Sequence, residues 1–419
     1  MQAMFAVATA WFALALVATL LASRLRISTA LVEIVVGISA ATITTRFIGG
    51  NALGAGQPWL TFLASTGAVV LTFLAGAELD PSVLRAKWKE VMVVGSIGFL
   101  APFLGCAVLA RFLLRWPWPS SWLAGVALST TSMAVVYAVM LELGFNRTDF
   151  GKGILGACFV NDLGPVIVLG LLFAPFTVRT LIFAGVSLAV FVALPFVTPW
   201  LLSRFGGKPA EVETKWVLLL IFGLGTLALW SGSEAVLPAY ITGMVLAGTI
   251  GKDHGYIRRL RTLTLGLLTP FYFIRAGSFV SLPALFAAPL AFLVLFGGKV
   301  ASKILGLLPA IGLFRADRRE QWYYTLMMST GLTFGTISAL YGFSHGIITQ
   351  AQYSHLVAVV IGSAVLPTLL ANAAFLPHHL LARPDKGQTA APDRHPELRA
   401  SVPVLLTEAR DVQENTAGL

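Results

Sequence analysis

Four places in this 419-residue chain put ionisable side chains inside long apolar runs, where a charge costs several kcal/mol and by default marks an ion or proton path. The first is the stretch Gly156-Ala157-Cys158-Phe159-Val160-Asn161-Asp162-Leu163-Gly164-Pro165. The second is Leu268-Thr269-Pro270-Phe271-Tyr272-Phe273-Ile274-Arg275-Ala276-Gly277, and Glu33 and Glu234 are the other two. A carboxylate in a low-dielectric medium is stabilised either by a proton or by a partly dehydrated monovalent cation, so Asp162 is a place where the two compete. Pro165 lacks an amide hydrogen and leaves the Asn161 carbonyl without its helical partner, which offers a second oxygen to a cation. The competing reading is a static pair between Asp162 and Arg275 that locks two helices. Arg275 stays protonated, which makes it an electrostatic partner of Asp162 or Asn161 and not a proton carrier. Glu33 either lines an entrance funnel or bonds within a packed interface, and Glu234 lies close enough to a short loop to be solvated.

Hydroxyl-rich segments accompany these charges. Leu128-Ser129-Thr130-Thr131-Ser132-Met133 and Met328-Ser329-Thr330-Gly331-Leu332-Thr333 echo one another at an offset of 200 residues. Such runs suit the interruption of a membrane helix, because hydroxyls satisfy freed backbone groups and present oxygens to an ion. Packing alone is the plainer reading of either segment; the match between them favours a broken pair.

The elements that must position these residues are membrane helices. The chain is 57% hydrophobic and 11% charged, with a mean hydropathy of +0.82, which excludes a soluble globular domain. Thirteen apolar segments are long enough to cross a hydrocarbon core: about 3–22, 29–46, 59–78, 91–113, 120–141, 153–174, 180–202, 215–231, 233–250, 262–281, 284–312, 321–342 and 352–376. Residues 1–22 read as a span and not as a cleaved leader, since Arg24 and Arg26 follow the apolar run. Their continuity excludes a transmembrane barrel.

Basic residues cluster after the odd-numbered spans: Arg24 and Arg26; Arg85, Lys87 and Lys89; Arg147 and Lys152; Arg204, Lys208 and Lys215; Lys252, Arg258, Arg259 and Arg261; Arg315, Arg318 and Arg319. The opposite side holds Arg46, Arg111, Arg115 and Arg179. The positive-inside bias therefore places the N-terminus outside and the C-terminus in the cytoplasm. The net charge of +10 reflects this orientation and not a nucleic-acid partner. Residues 377–419 read as a polar, disordered cytoplasmic tail.

If spans one to six and eight to thirteen form two halves around a linker, each hydroxyl-rich segment is the fifth element of its half, and the odd linker inverts the second half. That is the inverted-repeat plan of many secondary transporters. Lys299 and Lys303 read as snorkelling to a headgroup layer. His254, His345 and His355 lack metal-ligand spacing, and Cys106 and Cys158 lie in apolar runs and support neither a disulfide framework nor a zinc site. No Walker motif, dinucleotide fingerprint or nucleophile elbow occurs, so an enzyme is not expected.

At these residues the sequence resembles the cation:proton antiporter superfamily, in particular the bacterial Kef and NapA type, over roughly residues 5–376. The stretches that carry the resemblance are Phe73-Leu74-Ala75-Gly76-Ala77-Glu78-Leu79-Asp80, Ser129 to Val136, the Asn161-Asp162 pair, and Pro270 to Ala276. The resemblance implies an all-α polytopic fold of about thirteen transmembrane helices, with six-helix inverted repeats and crossed discontinuous helices. It further implies a core domain at about 91–174 and 284–376, a dimerisation domain at about 3–78 and 215–281, and a linker helix at about 180–202, all within a transmembrane domain of residues 1–376.

The implied activity is exchange of Na⁺ or Li⁺, with K⁺ as a further substrate, for H⁺ by an elevator motion. It would run without a cofactor in a homodimer of the bacterial inner membrane, in a role in pH homeostasis. Asp162 would carry the cation or the proton, Asn161 would orient the site, and Thr130, Thr131 and Thr330 would supply oxygens. Electrogenic members carry two adjacent aspartates and a lysine where this chain has Asn161 and Arg275, so electroneutral one-to-one exchange is expected. The rivals are a sodium-coupled organic-anion symporter, which would depend on Arg275 for substrate, and a gated cation channel, which would only dissipate a gradient.

Overall fold

The computed structural model describes residues 2–25, 28–47, 53–77, 87–143, 145, 148–173, 177–206, 211–233 and 235–380, and these are helical, with no strand among them. The first four helices are α1 (Gln2–Leu25), α2 (Thr29–Phe47), α3 (Pro58–Ala77) and α4 (Trp88–Phe112). Then come α5 (Trp118–Ser129), α6 (Met133–Glu142), α7 (Asp149–Phe173), α8 (Val178–Phe205) and α9 (Val212–Ser231). The second half continues with α10 (Val236–Leu246), α11 (His254–Leu263), α12 (Thr269–Ser278), α13 (Leu282–Ala287) and α14 (Pro289–Gly312). It ends with α15 (Arg318–Met328), α16 (Thr333–Ser344) and α17 (Gln350–Ala374).

Among the described residues nine helices are long and apolar enough to cross a membrane, and α7, which carries Asp162, is the most enclosed of them. The other expected segments are interrupted or short. The segments expected at 120–141 and 321–342 each divide in two, and α11 joins α12 through a π-helical turn at Thr264–Leu268. Local chemistry sets several ends. Thr349 and Gln352 form a reciprocal capping box at the start of α17, and Asp317 accepts from the Arg319 amide at the start of α15.

The helices pack in two groups. In the first, α3 lies against α10 and α12, α2 against α1 and α12, and α8 and α9 against α10 and each other. In the second, α4 lies against α5, α7 and α14, α16 against α5 and α17, and α14 against α15 and α17. The groups meet chiefly where α10 touches α7, with the Tyr240 hydroxyl donating to the Phe159 carbonyl (3.0 Å), and where the Tyr353 hydroxyl of α17 donates to the Ala276 carbonyl of α12 (2.6 Å).

Close approach in the first group depends on small residues, as expected where lipid tails give helices no hydrophobic reason to associate. A Cβ on Gly37 of α2 would strike the Ile274 carbonyl of α12, and a Cβ on Gly277 of α12 would strike the Ile34 carbonyl of α2.

Residues 381–419, which hold nearly all of the expected tail, lie outside the described residues, as do Glu78, Asp80 and Glu234. The first residues of that expected tail depart from the disorder read in sequence. His378–Leu380 form a 3₁₀ turn, and His379 Nε2 lies 2.9 Å from Glu320 Oε1 on α15.

Candidate functional site

The two hydroxyl-rich segments are the two interruptions, and they cross. Helix α5 ends at Ser129 and α6 begins at Met133, while α15 ends at Met328 and α16 begins at Thr333. Between them the Thr131 hydroxyl donates to the Met328 carbonyl (2.8 Å), and the Ser132 amide donates to the Thr330 carbonyl (3.2 Å).

Each helix end then satisfies its own freed carbonyls with its own hydroxyls. Ser129 and Thr130 donate to Val126 and Ala127 (2.8 and 3.3 Å), and Ser329 and Thr330 donate to Thr325 and Met327 (2.7 and 2.9 Å). The 200-residue echo in sequence is thus an echo in hydrogen bonding. Each of these hydroxyls spends its one proton on a carbonyl, which leaves its oxygen able only to accept, as Thr330 Oγ1 does from the Ser132 amide (3.3 Å). Ser129, Thr130, Thr131, Ser132, Ser329 and Thr330 are all buried.

Helix α7 passes beside this crossing without a break at Pro165. Asn161 and Asp162 are buried there, and the Asn161 amide donates to the Ser129 carbonyl (3.3 Å), which fixes its side chain against the α5 end. The Asn161 Oδ1 and Asp162 Oδ1 atoms have no hydrogen-bond partner. Two acceptor oxygens kept dry and unpaired at the end of two interrupted helices form a site that gains by taking up a proton or a cation. The Thr131 backbone also faces the Asp162 carboxylate.

The counter-charge is not the one read in sequence. Arg275 Nε donates to the Ala55 carbonyl (2.8 Å) and Nη2 to Thr61 Oγ1 (3.2 Å), and its guanidinium sits over the Phe279 ring. It braces the start of α3 and reaches neither Asn161 nor Asp162, because the face of α12 that carries it is turned toward the first helix group. The cation facing Asp162 is Lys303 of α14, whose ammonium donates to Thr131 Oγ1 (3.0 Å). Lys299, one turn earlier, donates to Ser363 Oγ of α17 (2.9 Å) and lies against Gly331, where a Cβ would strike its ammonium.

Both lysines are 0% exposed, which overturns the snorkelling expectation. A signal was present in the sequence. Lys299 lies ten residues after Pro289 and Lys303 nine before Gly312, about 14 Å of helix from either end, more than a lysine stem can reach. Together they place two buried amino groups beside the point where the ends of α5 and α15 converge. Glu33 is 2% exposed, packed within the first helix group, and so lines no solvent-open funnel in this structure.

Comparison with known proteins agrees with this architecture. The pattern of the family described as "Sodium/hydrogen exchanger, transmembrane" matches residues 12–372. A probable Na⁺/H⁺ antiporter 3 of Methanocaldococcus jannaschii is 24% identical over 331 residues, covering 76% of this chain and 84% of that protein. The glutathione-regulated potassium-efflux system protein KefC of Escherichia coli is 25% identical over 369 residues, covering 81% of this chain, and cation/H⁺ antiporter 17 of Arabidopsis thaliana is 25% identical over 377 residues, covering 84%. The chain spans only 58% and 45% of the lengths of those two relatives. The solved structure of the sodium proton antiporter MjNhaP1 from M. jannaschii at pH 8 superposes with a TM-score of 0.63 at 16% identity, covering 91% of this chain and 99% of that one.

Proposed function

Because the chain belongs to the transmembrane sodium/hydrogen exchanger family, we propose that it exchanges a monovalent cation, Na⁺ or Li⁺ with K⁺ as a further substrate, for H⁺ across a bacterial inner membrane. Asp162 carries one or the other but not both. The observation that carries this reading is the buried Asp162 carboxylate, with Oδ1 unpaired, beside the oxygens of two crossed helix ends. Asn161 orients the carboxylate's surroundings, and Thr130, Thr131 and Thr330 offer oxygens that already have their protons committed.

Lys303 takes the electrostatic role expected of Arg275. With a proton on Asp162 the carboxyl is neutral. With Na⁺ on ionised Asp162 the pair is again neutral, and Lys299 and Lys303 add the same charge to both states. Two loaded states of equal charge support electroneutral one-to-one exchange. The second helix group would move as the core against a dimerisation group built on the Gly37 and Gly277 contact, in a homodimer with the N-terminus outside and the C-terminus in the cytoplasm.

The test is proton movement in proteoliposomes, read with a pH-sensitive dye as Na⁺, Li⁺ and K⁺ are added in turn. An exchanger builds a pH gradient from the cation gradient. Asp162→Asn abolishes that movement while the protein stays monodisperse; activity retained by this variant removes the central residue. A rate that responds to an imposed voltage would mean that Lys303 gives up a proton when the cation binds, and the one-to-one stoichiometry would fall.

A further inference from the structure

Beside the oxygens of this site lie two sulfurs that a sodium ion cannot use. Cys158 is one helical turn before Asp162, on the same face of α7. Its Sγ is 3.4 Å from Sδ of Met328, the last residue of α15, whose carbonyl accepts the Thr131 hydroxyl at the crossing. Both side chains are 0% exposed. The Met328 methyl also borders Asn161: a Cβ on Gly98 would lie 3.3 Å from Met328 Cε and 3.5 Å from Asn161 Nδ2. A thiol and a thioether therefore lie close to the Asn161 and Asp162 side chains, whose Oδ1 atoms are unpaired.

Alkali cations take hard oxygen ligands, whereas thiol and thioether sulfur select soft monovalent ions such as Cu(I) and Ag(I). We propose that the Cys158 and Met328 sulfurs extend the cation site into one that also binds a soft monovalent metal ion, in competition with the alkali cation. This rests on the reading of Asp162 as a cation site. The exchange balances: the metal ion bonds to the Cys158 sulfur as the thiol proton leaves to solvent, so one positive charge enters for each one released. The Met328 thioether donates a lone pair without losing a proton, and Asp162 keeps its proton and completes the ligand set through its unpaired Oδ1.

Silver ion in chloride-free buffer is the probe, with the full-length protein in detergent and Cys106→Ser as the background, since Cys106 is the other free thiol. Bound silver is measured by equilibrium dialysis and elemental analysis. The expected result is one silver per chain in the Cys106→Ser protein. Affinity should fall by more than about tenfold when either Cys158→Ser or Met328→Leu is added, and excess Na⁺ or Li⁺ should weaken silver binding. Met328→Leu keeps the packing volume and so guards against a folding artefact, which size-exclusion chromatography checks in each variant. Silver binding that is indifferent to both substitutions, or to excess Na⁺, overturns the proposal. Na⁺/H⁺ exchange by the wild type without silver is measured separately. If that flux is absent while silver binds as described, the exchange reading fails and the soft-metal site stands.

Discussion

Two of the close approaches between helices in this molecule are made of opposite chemistry. Where α2 meets α12, Gly37 and Gly277 let each backbone rest on the other's carbonyl, and the contact itself is backbone on backbone, with Glu33 and Arg275 beside it in sequence. Where α5 and α6 meet α15 and α16, both helices stop, hydroxyls take over the freed carbonyls, and three buried ionisable residues, Asp162, Lys299 and Lys303, gather around the gap. A membrane protein can bring backbones together by removing side chains or by opening the helix and satisfying it with polar groups. The first way gives a rigid contact. The second leaves oxygens that an ion can occupy.

The sharpest way to break this contrast is to remove the charge on one side of it. Lys303→Met leaves Asp162 buried without its facing cation and Thr131 without its donor, and should lower cation/proton exchange by about a hundredfold or more. Exchange at wild-type rate in proteoliposomes would show that Lys303 only packs. A paired experiment on glycines sharpens the contrast further. Gly331→Ala forces a methyl against the Lys299 ammonium and should cost exchange per folded molecule about tenfold. Gly37→Ala forces a methyl against the Ile274 carbonyl and should lower thermal stability in detergent by about 1–3 kcal/mol, with exchange per folded molecule retained. If the two substitutions had the same signature, the division between a packing contact and a working one would be wrong.

Smallest is the effect expected of Arg275→Gln. It loses the bonds to Ala55 and Thr61 and should lower the melting temperature by a few degrees, on the scale of about 1–3 kcal/mol for hydrogen bonds to a charged group. Exchange should change little. Abolished exchange in a stable Arg275→Gln protein would return the counter-charge to α12.

Residue type and depth were readable in the sequence; azimuth was not. The interruptions fall on the Ser and Thr runs because those residues can replace backbone hydrogen bonds, and the Asn161 and Asp162 pair is where an apolar run tolerates charge at greatest cost. Arg275 was placed at a suitable depth, but which way α12 turns its faces depends on Gly277 meeting Ile34 across the interface, a tertiary contact that spacing alone does not encode. The lysines show the reverse. Their depth along α14 already argued against snorkelling, and what sequence lacked was an acceptor for them, since Thr131 and Ser363 lie 172 and 64 residues away. For Arg275 and Lys303 the silent partner is a contact from the other half of the chain, and for Lys299 it lies farther along the same half.

The account turns on Asp162 holding a proton or a cation and never both. Proton release from the detergent-solubilised protein, followed with an indicator dye in weak buffer as NaCl or LiCl is added against a choline chloride control, measures this directly. One proton released per cation bound by the wild type, and none by Asp162→Asn, is the predicted result. Cation binding by the wild type with no proton release at any pH would contradict it.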